Sequence, residues 1–334
     1  MSRSACLIFN PLAGQGDPEL ELDQIRSILE PEIDLDIYFT TEEIDADELL
    51  TRAAVGRGVE AIIASGGYGR LSAAGEAVIN TDISFGIISR GTANAFAAAL
   101  NIPDTIAAAC QTILQGKTRT IDVAYCNDRP MVLLAGIGFE AGTVEKADRE
   151  AKNRFGMMPL PYILARIQEL GNLQKFAVEI ESEDKIIQTI ASALTVANAA
   201  PPTSVLAQGP AGIIFDDGLL DLTILLQETK AGVIAATLHS FQTAYTGTAV
   251  ERSTGTAVER DDIGYLRSKQ FKITTDPPQK VVIDGEIVGT TPIKINCIPT
   301  GLRVFAPTVP EDIPIEKSGG LPNLTVDIKH SFTV

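Results

Sequence analysis

Ile62-Ile63-Ala64-Ser65-Gly66-Gly67-Tyr68-Gly69-Arg70 is the stretch on which the reading of this chain turns. A short apolar strand runs into a glycine-rich turn and then into a helix-like segment, Leu71 to Val78. Glycines let a backbone approach an anion, and the first N–H groups and positive dipole end of the next helix face it. A second turn, Gly91-Thr92-Ala93-Asn94, follows the apolar strand Phe85 to Ile88 in the same way. Two phosphate-type turns after neighbouring strands point to one nucleotide site. Tyr68 and Arg70 are unusual occupants of the first turn.

Working outward, the first third alternates strand and helix signals. Ala5 to Phe9 is an apolar run, Asn10 to Asp17 a turn cluster, and Pro18 to Glu30 places Leu20, Leu22, Ile25, Ile28 and Leu29 at helical spacing. A strand over Asp34 to Phe39, a helix over Ala46 to Val55, and helices over Ala93 to Leu100 and Thr105 to Leu114 continue the alternation. This predicts a doubly wound α/β domain with a parallel sheet. Ligands of such sheets sit at the carboxyl ends of the strands, where the Asn10, Gly66 and Gly91 turns all fall.

From about Asp122 the pattern changes to β-type runs: Val132 to Ile137, Phe176 to Ile180, Ile186 to Val196, Leu220 to Leu225, Phe271 to Thr275, Val281 to Ile283, Ile293 to Cys297 and Leu302 to Phe305. Strands in succession predict a β-rich sandwich or barrel-like second domain. Helical segments interrupt it at Ala141 to Asn153, Pro161 to Leu170 and Ala231 to Ala244. The charges within 145–154 read as a solvated helix face. Between Thr246 and Asp261 an octad is repeated in tandem, which reads as a lengthened surface loop. The expected division is 1–121, 122–307, and a tail 308–334 that is poorly ordered or draped on the surface.

Of the 334 residues, 45% are hydrophobic and 21% charged, an ordinary globular composition with room for two cores. With 27 basic against 43 acidic side chains the formal charge is −16, which argues against nucleic acid or a polybasic membrane anchor. No apolar run is long enough to span a bilayer, and the N-terminus shows no signal-peptide pattern. Cys6, Cys110, Cys126 and Cys297 lie far apart without a CxxC pair and read as reduced, buried thiols. His239 and His330 are the two histidines, so chemistry built on His is not expected.

At these residues the chain resembles the family of soluble bacterial lipid kinases with a diacylglycerol kinase catalytic domain, relatives of sphingosine kinases and, more distantly, NAD kinases. Asn10-Pro11-x-Ala13-Gly14, Gly66-Gly67-Tyr68-Gly69-Arg70, Gly91-Thr92-Ala93-Asn94-Ala95-Phe96 with Ile102-Pro103, Gly136-Ile137-Gly138-Phe139-Glu140-Ala141, Asp216-Asp217-Gly218-Leu219-Leu220-Asp221 and Asp284-Gly285-Glu286 carry the resemblance over roughly residues 4 to 307. It implies ATP as phosphoryl donor, Mg²⁺, and transfer to a lipid hydroxyl. It places Asn10, Gly66, Gly67, Gly69, Gly91, Thr92 and Asn94 around the nucleotide and Asp284 and Glu286 in catalysis. Asp217 with the Leu219 carbonyl resembles a metal-binding loop whose oxygen ligands suit Mg²⁺. The implied partners are ATP, a lipid at a membrane surface and a second copy of the chain; the implied location is the cytoplasm, at most peripheral to a membrane.

Plainer readings stand beside these. Asp284-Gly285 alone is an ordinary hairpin turn, and Asp216-Asp217-Gly218 a solvated one. The chain also departs from the family pattern: Tyr68 stands for its acidic residue, Arg70 for its hydroxyl residue, Ala95 for a second acidic residue, and Ala98 and Gln15 for basic ones. The resemblance leaves as candidate base either the first-turn position, here Tyr68, or Asp284. Arg70 can hold phosphate by charge-assisted hydrogen bonds without aiding transfer. Three readings follow: a lipid kinase of reduced activity, an impaired homologue that binds lipid or nucleotide as a regulator or carrier, and a small-molecule kinase of the NAD kinase type. A hydrophilic acceptor pocket would mark the last, and a deep apolar one a lipid kinase.

Overall fold

The computed structural model describes residues 3–14, 16–40, 44–91, 94–138, 175–200, 213–226, 263–307 and 324–329, with the backbone alone at 44–49 and 68–70. The three interrupting helices of the second domain, the repeated octad, both histidines, Gln15 and Thr92 lie outside the described residues. The chain divides into two compact units, Met1–Val123 with Ile298–Pro310, and Ala124–Cys297 with Glu311–Val334.

The first unit begins with β1 (Arg3–Phe9), buried from Ala5 onward. Helix α1 (Pro18–Leu29) starts where its sequence predicts: the Asp17 carboxylate accepts the N–H groups of Glu19 and Leu20, and Pro18 occupies the first helical turn. Its apolar stripe buries Ile25 and Leu29. Then come β2 (Ile33–Phe39), α2 (Ile44–Val55), β3 (Ala61–Gly66), α3 (Tyr68–Glu76), β4 (Ser84–Ser89), α4 (Ala95–Ala99) and α5 (Ile106–Gln115). Thr105 caps α5, and Gly116 closes it in the left-handed conformation. The strands pair in parallel in the order β2-β1-β3-β4, the expected doubly wound sheet.

β5 (Thr118–Cys126) leaves this unit. The late strand β16 (Ile293–Phe305) re-enters it from Ile298 onward and lies parallel to β4, with Val304 opposite Phe85. Its return is fixed at two points. The buried Asp122 carboxylate accepts the Thr300 N–H at 2.9 Å, and the Gly301 carbonyl accepts the Asn80 N–H at 2.8 Å.

The second unit is built from two antiparallel sheets. Its remaining strands are β6 (Arg129–Met131), β7 (Leu134–Gly138), β8 (Phe176–Glu181), β9 (Lys185–Ala191), β10 (Ala193–Ala197), β11 (Leu220–Leu225), β12 (Ile263–Ser268), β13 (Gln270–Asp276), β14 (Lys280–Ile283), β15 (Glu286–Thr290) and β17 (Thr325–Ile328). One sheet runs β17-β9-β8-β13-β16, the other β12-β11-β10-β7-β14-β15. Buried faces of both, among them Phe176, Ile180 and Phe271 from one and Ile137, Leu222 and Val281 from the other, form a single apolar core. Alternate residues of β8 and β13 face outward, the period of a half-buried sheet.

Three local expectations are revised. The run Ile186 to Val196 is two strands, β9 and β10, which belong to different sheets. The break is Ser192, whose N–H turns aside to the Leu225 carbonyl. In the run Val132 to Ile137 only the part from Leu134 is strand; the N–H groups of Val132 and Leu133, before it, are given to the Asp284 carboxylate. Within the tail, Thr325–Ile328 is an edge strand paired antiparallel with β9.

Gly138, at the end of β7, has φ of +80°. A Cβ there would stand 2.9 Å from the Phe176 ring and 2.9 Å from the Ser192 carbonyl oxygen. Gly138→Ala therefore combines a left-handed backbone with overpacking and is expected to cost about 2–4 kcal/mol. A melting curve of the variant checks this; a midpoint equal to that of the wild type contradicts it.

Candidate functional site

In the first unit the anticipated turns stand at the carboxyl ends of β1, β3 and β4, which are neighbours in the sheet. Asn10 is buried and fixed on every side. Its N–H goes to the Ser65 carbonyl at 2.9 Å, its side-chain oxygen accepts the Leu12 N–H at 3.0 Å, and its carbonyl accepts the Ala13 N–H at 3.2 Å. Asn10 thus shapes the turn from within by an Asx-type bond. Gly66 ends β3, and Gly67 is the N-cap of α3 with an extended backbone and no side-chain cap. A Cβ at Gly67 would meet nothing within 4 Å, so the turn is open there. Gly69 lies in the first turn of α3, and the side chains of Tyr68 and Arg70 lie outside the described residues. Asn94 is left-handed, with φ of +45°, and its side-chain oxygen accepts the Gly91 N–H at 2.9 Å, which closes the second turn.

The residue that ties these turns together is Arg90, which no motif singles out. Its side chain is 1% exposed. Nη1 donates to the Asn10 carbonyl and Nη2 to the Ala13 carbonyl, both at 2.8 Å, while Nε donates to Glu21 at 2.6 Å. Nη2 also pairs with Glu21, and the guanidinium lies over the Phe9 ring at 4.2 Å. The Arg90 N–H reaches the Gly66 carbonyl at 2.9 Å. Arg90 therefore holds the Asn10 turn and the end of β3 together, with its charge answered by Glu21. A planar fork of five donors suits this, and a lysine cannot reproduce it. Next to this brace, the hydroxyls of Ser65 and Ser89, at the ends of β3 and β4, are buried without hydrogen-bond partners.

In the second unit Asp284 and Gly285 both have positive φ, +50° and +89°, and join β14 to β15 with Ile283 opposite Glu286. That is the two-residue hairpin the sequence allows. The Asp284 carboxylate does more than close a turn: Oδ2 accepts the Val132 N–H at 2.8 Å, and Oδ1 accepts those of Leu133 and Leu134 at 3.0 and 2.9 Å. In return the Asp284 N–H reaches the Leu134 carbonyl at 2.9 Å. The carboxylate is thereby fixed in one orientation by backbone on both of its oxygens. Glu286 starts β15 and is exposed.

The loop before β11 holds Asp217 and Leu219. The Asp217 Oδ1 accepts the Leu219 N–H at 3.1 Å, and its Oδ2 pairs with the guanidinium of Arg267 on β12. Arg267 also meets Asp221, fully buried on β11, at 3.2 Å, and the Tyr265 hydroxyl donates to the same Asp221 oxygen. Burial pushes the Asp221 carboxyl up to about 7 against the pull of Tyr265 and Arg267. Burial and the neighbouring Asp221 push the Tyr265 hydroxyl upward, which keeps it a donor. A divalent ion at Asp217 and Leu219 does not fit this arrangement. Two unit charges ~4 Å apart interact by about 4 kcal/mol at an effective dielectric near 20, and a second cation would meet twice that repulsion from Arg267. Among the described residues no group of three or more His, Cys, Asp or Glu is placed to hold a metal.

All four cysteines are buried. Burial pushes the thiols of Cys6 and Cys110 up to about 12 and that of Cys126 to about 11, so these three stay protonated and are poor nucleophiles.

The class this fold defines is a two-domain protein with an α/β unit, turns at adjacent strand ends, and a β-sandwich carrying an anchored Asp-Gly hairpin. Comparison with known families makes this specific: residues 4–126 match the diacylglycerol kinase catalytic domain, and residues 135–306 match the YegS C-terminal NAD kinase beta sandwich-like domain. The chain belongs to this diacylglycerol kinase-like family of lipid kinases. It is 46% identical to an uncharacterized protein of Synechocystis sp. over 92% of this chain and 71% of that one. It is 27% identical to a diacylglycerol kinase of Bacillus subtilis over 87% of this chain and 92% of that one. A solved diacylglycerol kinase structure from Bacillus anthracis has the same fold, with a TM-score of 0.69 at 21% identity over 91% of this chain and 97% of that one. No helix among the described residues is long and apolar enough to cross a membrane.

Proposed function

We propose that the protein is an ATP-dependent lipid kinase of reduced activity, which transfers the terminal phosphoryl group of ATP to the hydroxyl of diacylglycerol or a related lipid. The observation that carries this is Asp284, a carboxylate held by three backbone N–H groups at a hairpin tip, in a chain whose other unit presents anion-type turns. Phosphoryl transfer asks for donors around the phosphates and a positioned carboxylate that orients or accepts the proton of the attacking hydroxyl. Asn10, Gly66, Gly67, Gly69, Gly91, Thr92 and Asn94 surround the nucleotide in this reading, and Glu286 supports Asp284. The P–O bond to ADP breaks as the bond to the lipid oxygen forms. Mg²⁺, arriving with the nucleotide, neutralises phosphate charge when bound; Asp217 and Leu219 are not its ligands. The lipid is met at a membrane surface by a protein of the cytoplasm, as a monomer or homodimer.

The second reading, a regulator or carrier that binds lipid or nucleotide without turnover, is favoured by Tyr68 and Arg70 in the first glycine turn. ADP release from Mg-ATP, measured with vesicles containing diacylglycerol, sphingoid base or phosphatidylglycerol, separates the two. Lipid-dependent ADP release by the wild-type chain is expected under the kinase reading. Background ADP from the wild type, with turnover restored in the Tyr68→Asp, Arg70→Thr double variant, would establish the second.

A further inference from the structure

The loop in which the family resemblance expects a divalent cation already contains a cation of its own. Arg267 is 8% exposed and stands opposite Asp221 in the β11–β12 register, so its position is set by the sheet rather than by the loop. From there its guanidinium reaches Asp221 through Nε and Asp217 through Nη2, joining a strand carboxylate to a loop carboxylate. The remaining Asp217 oxygen holds the Leu219 N–H, and Gly218, with φ of +76°, makes the tight bend between them. The second Asp221 oxygen is buried with no hydrogen-bond partner. Both Asp217 oxygens and one Asp221 oxygen are therefore committed to Arg267, Tyr265 and a backbone N–H.

We infer that Arg267 takes the place of a divalent cation in this loop, so that the Asp217–Asp221 segment is closed by a tethered guanidinium and needs neither Mg²⁺ nor Ca²⁺. The inference is independent of the kinase reading, since it concerns loop closure and not turnover. Like a metal ion, a guanidinium bridges two carboxylates drawn from different elements, with one positive charge in place of two. It differs in being permanent: it cannot be chelated away, and it binds without regard to ion concentration.

The test is thermal unfolding of the full chain in EDTA and in millimolar MgCl₂ or CaCl₂, at matched ionic strength. The wild-type midpoint is expected to be the same in all three, and a midpoint that falls in EDTA and recovers with either ion overturns the proposal. Arg267→Gln leaves two carboxylates without their cation; its midpoint is expected to fall by about 5 °C or more in EDTA and to recover at least half of that with Mg²⁺ or Ca²⁺. An Arg267→Gln chain as stable as wild type in EDTA, or one that neither ion restores, also overturns it. Should that variant fail to fold, titration of the wild type with Mn²⁺ decides the question by electron paramagnetic resonance. No ion retained by the chain in the absence of nucleotide supports the proposal, and one tightly held ion sinks it.

Discussion

Asp284→Ala is expected to melt about 10 °C below wild type. The alanine removes the acceptor for three N–H groups at once, those of Val132, Leu133 and Leu134, of which Val132 and Leu133 are residues of the core. Hydrogen bonds to a charged acceptor contribute roughly 1.5–3 kcal/mol each, and the three share one acceptor, so about 3–5 kcal/mol in all is the reasonable figure. Asp284→Asn separates structure from chemistry. The amide keeps one carbonyl oxygen for Leu133 and Leu134, while its NH2 group cannot accept the Val132 N–H, a loss of about 1–2 kcal/mol. As a proton acceptor it is useless, so lipid phosphorylation is expected to drop by about 10² to 10⁴ while the fold persists. Melting curves together with turnover of both variants check this. An Asn variant with full turnover would restrict Asp284 to its hairpin.

Arg90→Met is the corresponding experiment in the first unit. It strands the Glu21 carboxylate and takes one donor from each of the carbonyls of Asn10 and Ala13, a loss of about 3 kcal/mol for a broken pair whose arginine is buried. Nucleotide binding measured by calorimetry is expected to weaken at least about tenfold, because the Asn10 turn loses its tie to the end of β3. Pairing Arg90→Met with Glu21→Gln gives the discriminating result. The double variant removes the stranded charge and should regain much of the stability, but none of the affinity, since the turn is still untied. Stability and affinity that recover together would make Arg90 a scaffold residue only.

The strand-end turns are legible in the sequence because each is local. A strand, a glycine turn and the start of a helix follow one another without interruption, so the amino-acid order alone assigns Asn10, Gly66 and Gly91 to one edge of one sheet. The sandwich is legible in the same way, from alternating runs. The residues that make the sites firm are not. Arg90 pairs with a residue 69 positions away, Arg267 with one 50 away, and Asp284 with backbone 150 away. No periodicity reports such a pairing, and a single arginine before a glycine looks like any surface residue. The Asp217 loop shows the converse. Its motif reads as a place for a metal ion, and only the register of β11 against β12 reveals that an arginine stands over it.

β16 bears on how the chain is made. Its closing residues flank β4, and they leave the ribosome long after the rest of the first sheet. Until then the β4 side of that sheet is an unpaired edge, open to pairing with any passing strand. The first unit therefore cannot complete itself early in synthesis as an N-terminal domain ordinarily does. A fragment cut after Val123 would carry the same raw edge and be prone to self-association, whereas one supplied in trans with residues 293–310 would have the means to close it.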